Sequence, residues 1–262
     1  MRNLLRSAAG VDRLVPYEDA VLALGRRGDM LEYHDDVRVE RIVGTVGRAE
    51  DFDAEFRLRN SDLRDRWDAV ADLMARPGGP VARIDLLRLG EMYFVVDGHH
   101  RVSVARARGH AVIPARVRWV CTVAYALACL RVMHLPSKAA EREFLTRIPL
   151  PDPVRTELWL DRSADWMRLA DAAEAWGFRE SLRDAPLTDR RALAERWWEQ
   201  EVVPLVRHLR RAGVGVGLRD IQLYAAATTT RDRRGEGSWP PLAGGDELRP
   251  AWAGGEGEPH RG

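Results

Sequence analysis

The chain has 262 residues, with 41 basic and 40 acidic side chains and a formal net charge of +1. Its 45% hydrophobic and 31% charged content is that of a soluble globular protein, with room for one large domain or two small ones. The near-neutral balance excludes a chain that coats nucleic acid through bulk charge, while leaving room for a local basic face.

The first 36 residues read as helical and irregular, an N-terminal helical extension. In VPYEDAVLALGRRG, Pro16 stands near a helix start and Gly25 or Gly28 near its end. VRVERIVGTV, Val37 to Val46, alternates apolar and charged residues and then turns apolar, as a strand entering a core does. Gly44 and Gly47 break it. SDLRDRWDAVADLMARPGG predicts a helix capped by Ser61 or Asp62, with Leu63, Trp67, Val70, Leu73 and Met74 on one face and a stop at Pro77-Gly78-Gly79-Pro80. Two short strands flank Gly90. A helix then follows over Arg101 to Arg108, and AVIPARVRWV is a further strand. Residues 37–120 thus form an α/β (α+β) domain.

A mostly helical region follows over 121–228. CTVAYALACLRVM reads as a buried helix and SKAAEREFLTRI as an amphipathic one, with IPLPDPV as a Pro-rich connector. SADWMRLADAAEAWG predicts a helix ending at Gly177. A long helix is expected from Thr188 to Gly213, kinked at Pro204 and carrying Trp197 and Trp198 as core residues. LRDIQLYAAATTTR gives one more. Residues 229–262, rich in Gly and Pro and poor in aliphatics, are expected to be a disordered tail.

Several chemistries are excluded early. Lys138 is the only lysine, and it lies in LPSKAAE without the glycine loop of a phosphate-loop motif. Any bound phosphate must be held by Arg, His or backbone N–H groups. Cys121 and Cys129 lack CxxC spacing and read as small buried hydrophobes in a reducing compartment. His34, His110 and His134 are isolated, and the adjacent His99 and His100 seldom chelate one ion, so no metal site is assigned. No serine has GxSxG context. The N-terminal residues lack the apolar core of a secretory signal. The most apolar run, Trp119 to Met133, contains Arg131 and falls short of the roughly 20 residues a membrane span needs. A cytoplasmic protein without membrane contact is expected.

The stretch that carries chemistry is VVDGHHR, Val95 to Arg101. A strand, a glycine turn and a helix together aim free backbone N–H groups at an anion. Gly98 permits a positive φ and close ligand approach. His99, His100 and the amide of Arg101 fall at the turn and the first helical residues. The Arg101 guanidinium adds a forked donor suited to phosphate oxygens. Asp97 could accept a ligand hydroxyl, hold a metal-bound water or act as a base. The alternative is an ordinary turn, with Asp97 capping the helix and both histidines solvated.

The segment from Val37 to Val120 resembles the ParB/sulfiredoxin superfamily. The matching pieces run in order: a strand into IVGTVGR, a helix around RWDAVADLM, strands ending YFVVDGHHR, then VSVARARG and IPARV. The resemblance implies a Gly-x-x-Arg turn, here Gly98 to Arg101, that binds nucleotide phosphates. Sulfiredoxins place a reactive Cys directly before His-Arg; His99 stands at that position here, so sulfinic-acid reduction is not expected. The Asp-Gly-His-His-Arg spelling is nearer to members resembling free-serine kinases. The loop after the first strand faces the nucleotide pocket in the superfamily. That makes Gly47 and Arg48 candidates for a second phosphate contact. Glu50, Asp51 and Asp53 become candidates for a metal-bound water or a base; each could equally be a loop or capping acid.

By that resemblance the cofactor is a nucleotide (CTP, ATP or ADP) with Mg²⁺. The first functional reading is a nucleotide-dependent switch or slow hydrolase of chromosome-partitioning type, with a protein partner or a homodimer as its target. The alternatives are a small-molecule kinase, using Asp97 or Glu50 as base, and a non-catalytic interaction module. DNA binding is not supported by the charge, and no helix-turn-helix is visible in 121–225.

Overall fold

The computed structural model describes residues 13–28, 31–76, 82–183 and 188–233. The expected Pro-Gly stop at 77–80 and the expected tail beyond Arg233 lie outside these residues. The chain divides into two compact units, Met1–Arg142 and Glu143–Gly262.

The first unit is built on a six-stranded mixed sheet with strand order β1-β3-β5-β4-β6-β2. The strands are β1 (Val15–Pro16), β2 (Leu31–Arg38), β3 (Ile42–Thr45), β4 (Ile84–Leu89), β5 (Met92–Asp97) and β6 (Val112–Val120). β5 is the most apolar and lies inside the sheet, parallel to β3 and antiparallel to β4. β4 and β5 form the expected hairpin about Gly90, which has φ +54°. β6 keeps a proline in mid-strand because β4 first pairs at Ala115, so Pro114 meets no ladder partner on that side.

Helices α1 (Tyr17–Leu24), α2 (Arg64–Ala75) and α3 (His99–Ala107) belong to this unit. Its core joins Phe52 and Phe56 to Ile84, Leu86, Val95, Val102 and Val117. The cap of α2 is supplied one residue earlier than expected. Asn60 accepts from the Asp62 N–H at 3.0 Å and opens a 3₁₀ turn, Ser61–Leu63, ahead of the helix. Of the expected apolar face, Leu73 stays exposed and Ala71 is the buried position.

Three expectations for this unit are corrected. Residues 31–36 are not helical; they form most of β2, an edge strand paired antiparallel to β6. Its exposed, acidic LEYHDD pattern hides the strand, since an edge position needs no apolar alternation. Val37 to Val46 is not one strand but the end of β2, a 3₁₀ turn over Val39–Arg41, and β3. Residues 121–131 form no helix. Their backbone groups are taken by neighbouring segments. Val123 and Ala124 N–H donate to the carbonyls of Gly25 and Leu24 at 2.8 and 2.9 Å, and Ala126 O accepts from Glu91 N–H at 2.8 Å. Gly90 permits that last contact, because a Cβ there would lie 2.5 Å from Ala126 O.

Helix α4 (Leu135–Arg147) carries the chain from the first unit into the second. Lys138 is almost fully buried in it and donates to Glu141 Oε2 at 2.6 Å. The sole lysine therefore has a structural partner and is no phosphate ligand.

Among the described residues, the regular elements of the second unit are helices: α5 (Asp152–Arg155), α6 (Ser163–Ser181), α7 (Arg190–Trp197), α8 (Val203–Arg211) and α9 (Asp220–Arg233). Trp197 is fully buried, as expected of a core residue, against Phe144 and Tyr224. α6 runs past its expected stop at Gly177. A Cβ there would sit 2.5 Å from Leu193 Cδ1, so the glycine serves close helix packing rather than termination. The expected helix from Thr188 begins at Arg190 with Asp189 as its cap. At the expected kink, Trp198–Val202 form a π turn just before Pro204, which the missing proline N–H favours. α9 extends to Arg233, past the expected tail boundary at 229.

Candidate functional site

The Asp-Gly-His-His-Arg stretch folds as a strand end, a left-handed glycine and a helix start. Gly98 has φ +100° and caps α3. A Cβ at this position would lie 2.4 Å from Ile84 Cγ2, so both conformation and space require glycine. The first helical bond runs from Val102 N–H to Gly98 O at 3.0 Å. The N–H groups of His99, His100 and Arg101 precede it and have no carbonyl one turn back, the condition for anion binding at a helix start.

The two histidines are split between tasks. His99 is 5% exposed, and its Nε2 lies 2.6 Å from Thr45 Oγ1 at the end of β3. The same hydroxyl oxygen accepts from Arg48 N–H at 3.3 Å. Thr45 thereby ties the Gly47 loop to α3. Burial, followed by the nearby Arg48 charge, pushes the His99 pKa down to about 4. Phe52 stacks on His99 with 6.0 Å between ring centres and meets His100 edge-on at 5.6 Å.

His100 is 6% exposed, and neither ring nitrogen has a hydrogen-bond partner. A buried polar side chain of this kind normally finds one. Burial lowers its pKa, with the Arg66 and Arg48 charges acting in the same sense. The ring borders a cleft of 150 Å³ whose other walls include Arg48, Arg66, Gly98, His99 and Arg101. Arg66, on α2, was not singled out in the sequence. Nothing local marks it, since it is one of many arginines on an exposed helical face.

Arg101 is placed differently from the expectation. Its Nη1 donates to the carbonyls of Ala82 and Arg83, both at 2.7 Å, and its Nη2 to Asp97 Oδ2 at 2.7 Å. The fork holds the approach to β4 and the end of β5. Asp97 is consequently ion-paired, although its side chain remains 71% exposed.

The loop after β3 lies beside this cleft. Gly47 has φ +93° and open space where a Cβ would be. Arg48 pairs with Asp51 at 3.4 Å and also borders a second cavity of 370 Å³, lined by Tyr17, Glu18, Thr45, Gly47, Glu50 and Asp51 among others. Asp53 is a capping acid: its Oδ1 accepts from the N–H groups of Glu55 and Arg57 at 3.0 and 2.8 Å. Glu50 is exposed at the second cavity. Among the described residues, no group of three or more His, Cys, Asp or Glu is placed to hold a metal ion. Among them too, no helix is long and apolar enough to cross a membrane.

The site therefore brings together His99, His100, Gly98, Arg101 and Arg48 at one cleft, adds Arg66, and leaves Glu50 and Gly47 at the adjoining cavity. Chemically it offers free N–H groups, two guanidinium groups and an imidazole with unused nitrogens, which together suit an anion. No protein-family model matches the chain, and no curated protein matches it. Among solved structures it has a weak resemblance to "Structure of the C2221 form of Pnob8-like ParB-N domain", covering 80% of this chain and 84% of that one at 10% identity and a TM-score of 0.23.

Proposed function

We propose that the first unit binds a phosphate-bearing ligand, a nucleotide, and acts as a nucleotide-dependent switch. The observation that carries this reading is His100, buried at the start of α3 with both ring nitrogens unpartnered in a cleft walled by Arg48 and Arg66. Phosphate oxygens would supply the missing partners and meet the free N–H groups of α3. Arg48 borders both cavities, so a ligand with phosphates in the cleft could extend toward Tyr17 and Glu18. Mg²⁺ would arrive with the phosphates, within reach of Asp51 or Glu50. Such a ligand would tie the Gly47–Asp51 loop, α2 and α3 together, which is how it would favour one arrangement of the unit.

The test is a thermal-shift panel of CTP, ATP, ADP and GTP with Mg²⁺ on the wild type and on Arg66→Gln. A ligand at 100 times its Kd stabilises by about 2.7 kcal/mol, or roughly 5–10 °C in a chain of this size. Arg66 is exposed, so its replacement should leave the fold intact and reduce the shift. The reading fails if no nucleotide stabilises the wild type, or if Arg66→Gln and Arg48→Gln respond as the wild type does. Nucleotide turnover that depends on an added acceptor would identify a kinase instead.

A further inference from the structure

A second cleft, of 810 Å³, lies along the C-terminal half of α3, away from the helix start. Its walls include Phe56, Trp67, Ser103 and Arg106. The indole of Trp67 is held in place by its Nε1–H, which donates to Ser103 Oγ at 2.8 Å. The Arg64 guanidinium stands over the same ring at 5.2 Å. Arg106 lies across the Phe56 ring at 5.2 Å, and its Nη2 donates to Val39 O and Ile42 O at 3.3 and 2.7 Å.

The part-buried Arg147 pairs with Asp171 and Glu174, whereas Arg106 has no such carboxylate partner among the described residues. Its buried Nε has no hydrogen-bond partner. Glu55 and Asp53 act on it only through space, and Arg131 opposes them. Two main-chain carbonyls and an aromatic face do not neutralise a half-buried cation. Removing such a charge from water without a counter-charge is costly.

We propose that this cleft binds a small, flat carboxylate, with its acid on Arg106 and its ring against Trp67. An aromatic monoanion fits better than a polyphosphate. The exposed Glu40 and Glu55 at its edge would repel a multiply charged ligand. Arg57 and Arg64 border the same cleft and are themselves exposed.

The experiment is a titration of the full chain, followed by ¹H–¹⁵N spectra, with 2-naphthoate and indole-3-acetate as probes. The Trp67 indole N–H signal is assigned by its loss in Trp67→Phe. A saturable shift of that signal is expected, with Kd on the order of 1 mM or tighter. The uncharged amides of the same two acids should bind at least about tenfold more weakly, since a hydrogen bond to a charged group is at stake. Arg106→Gln should weaken the acids by a similar factor. Because Arg106 also holds two carbonyls, that variant counts only if its spectrum remains native; the acid–amide comparison stands without it. The proposal is overturned if neither acid shifts the Trp67 signal, if acid and amide bind equally, or if pyrophosphate competes with the acid at this signal. Arg66→Gln should leave this binding unchanged, which separates it from the nucleotide site.

Discussion

Replacing His99 with glutamine should flatten the acid limb of the stability curve of the sheet unit. In the native chain the ring is buried, hydrogen-bonded to Thr45, and has its pKa pushed down from 6.5 to about 4. In the unfolded chain it titrates near the ordinary value. As pH falls below 6.5, the unfolded state takes up a proton that the native state refuses. Stability that is fully present above pH 6.5 is then lost as pH drops toward 4. The whole shift corresponds to about 3 kcal/mol, of which about 2 kcal/mol is withdrawn between pH 7 and pH 5. Hydrogen exchange of the β5 amides reads the stability of this unit. Across that interval the wild type should lose about 2 kcal/mol more than His99→Gln. His100 titrates in the same sense but is present in both proteins, so it cancels in the difference. Equal losses in the two proteins would show that the native ring protonates freely, and would refute the buried, neutral assignment.

Three further outcomes follow from named contacts. Gly98→Ala combines left-handed strain with a clash on Ile84 and should cost about 2–4 kcal/mol by urea denaturation; a change under roughly 0.5 kcal/mol would contradict the turn geometry. Arg101→Ala releases the carbonyls of Ala82 and Arg83 together with Asp97, so it should cost about 1.5–3 kcal/mol of stability. It should also disturb nucleotide affinity less than Arg66→Gln does, with calorimetric titration as the check. In the helical unit, Trp197→Ala empties a fully buried site beside Phe144 and Tyr224 and should cost about 3–5 kcal/mol, read as a lowered melting point by circular dichroism.

Elements whose cause is local were readable from the sequence. β5 is a continuous apolar run, Asp-Gly ends it, and the following residues have no helix breaker until Gly109, so the strand, turn and α3 follow from the order of residues. Where the cause is tertiary, the same reasoning fails. An apolar run such as 121–133 cannot be told from a buried helix by periodicity alone; the donors and acceptors that decide the matter belong to Leu24, Gly25 and Glu91. β2 is hidden by its exposure at the sheet edge. Arg66 reaches the cleft only because α2 packs on α3, and no spacing along the chain encodes that.

The paired histidines show how far local reasoning can go once the helix is placed. Successive residues of an α-helix are turned by about 100°, so neighbours cannot share one task. His99 turns toward the sheet and finds Thr45. His100 turns toward α2 and finds no hydrogen-bond partner, only the charges of Arg66 and Arg48. The helical period alone therefore excludes joint chelation and assigns one imidazole to the fold. Arg101 is turned onward again, toward the carbonyls before β4, and its fork is spent there. The residue that looked most like a phosphate ligand thus holds the turn, and the candidate ligand contacts pass to His100 and to two arginines supplied by other segments.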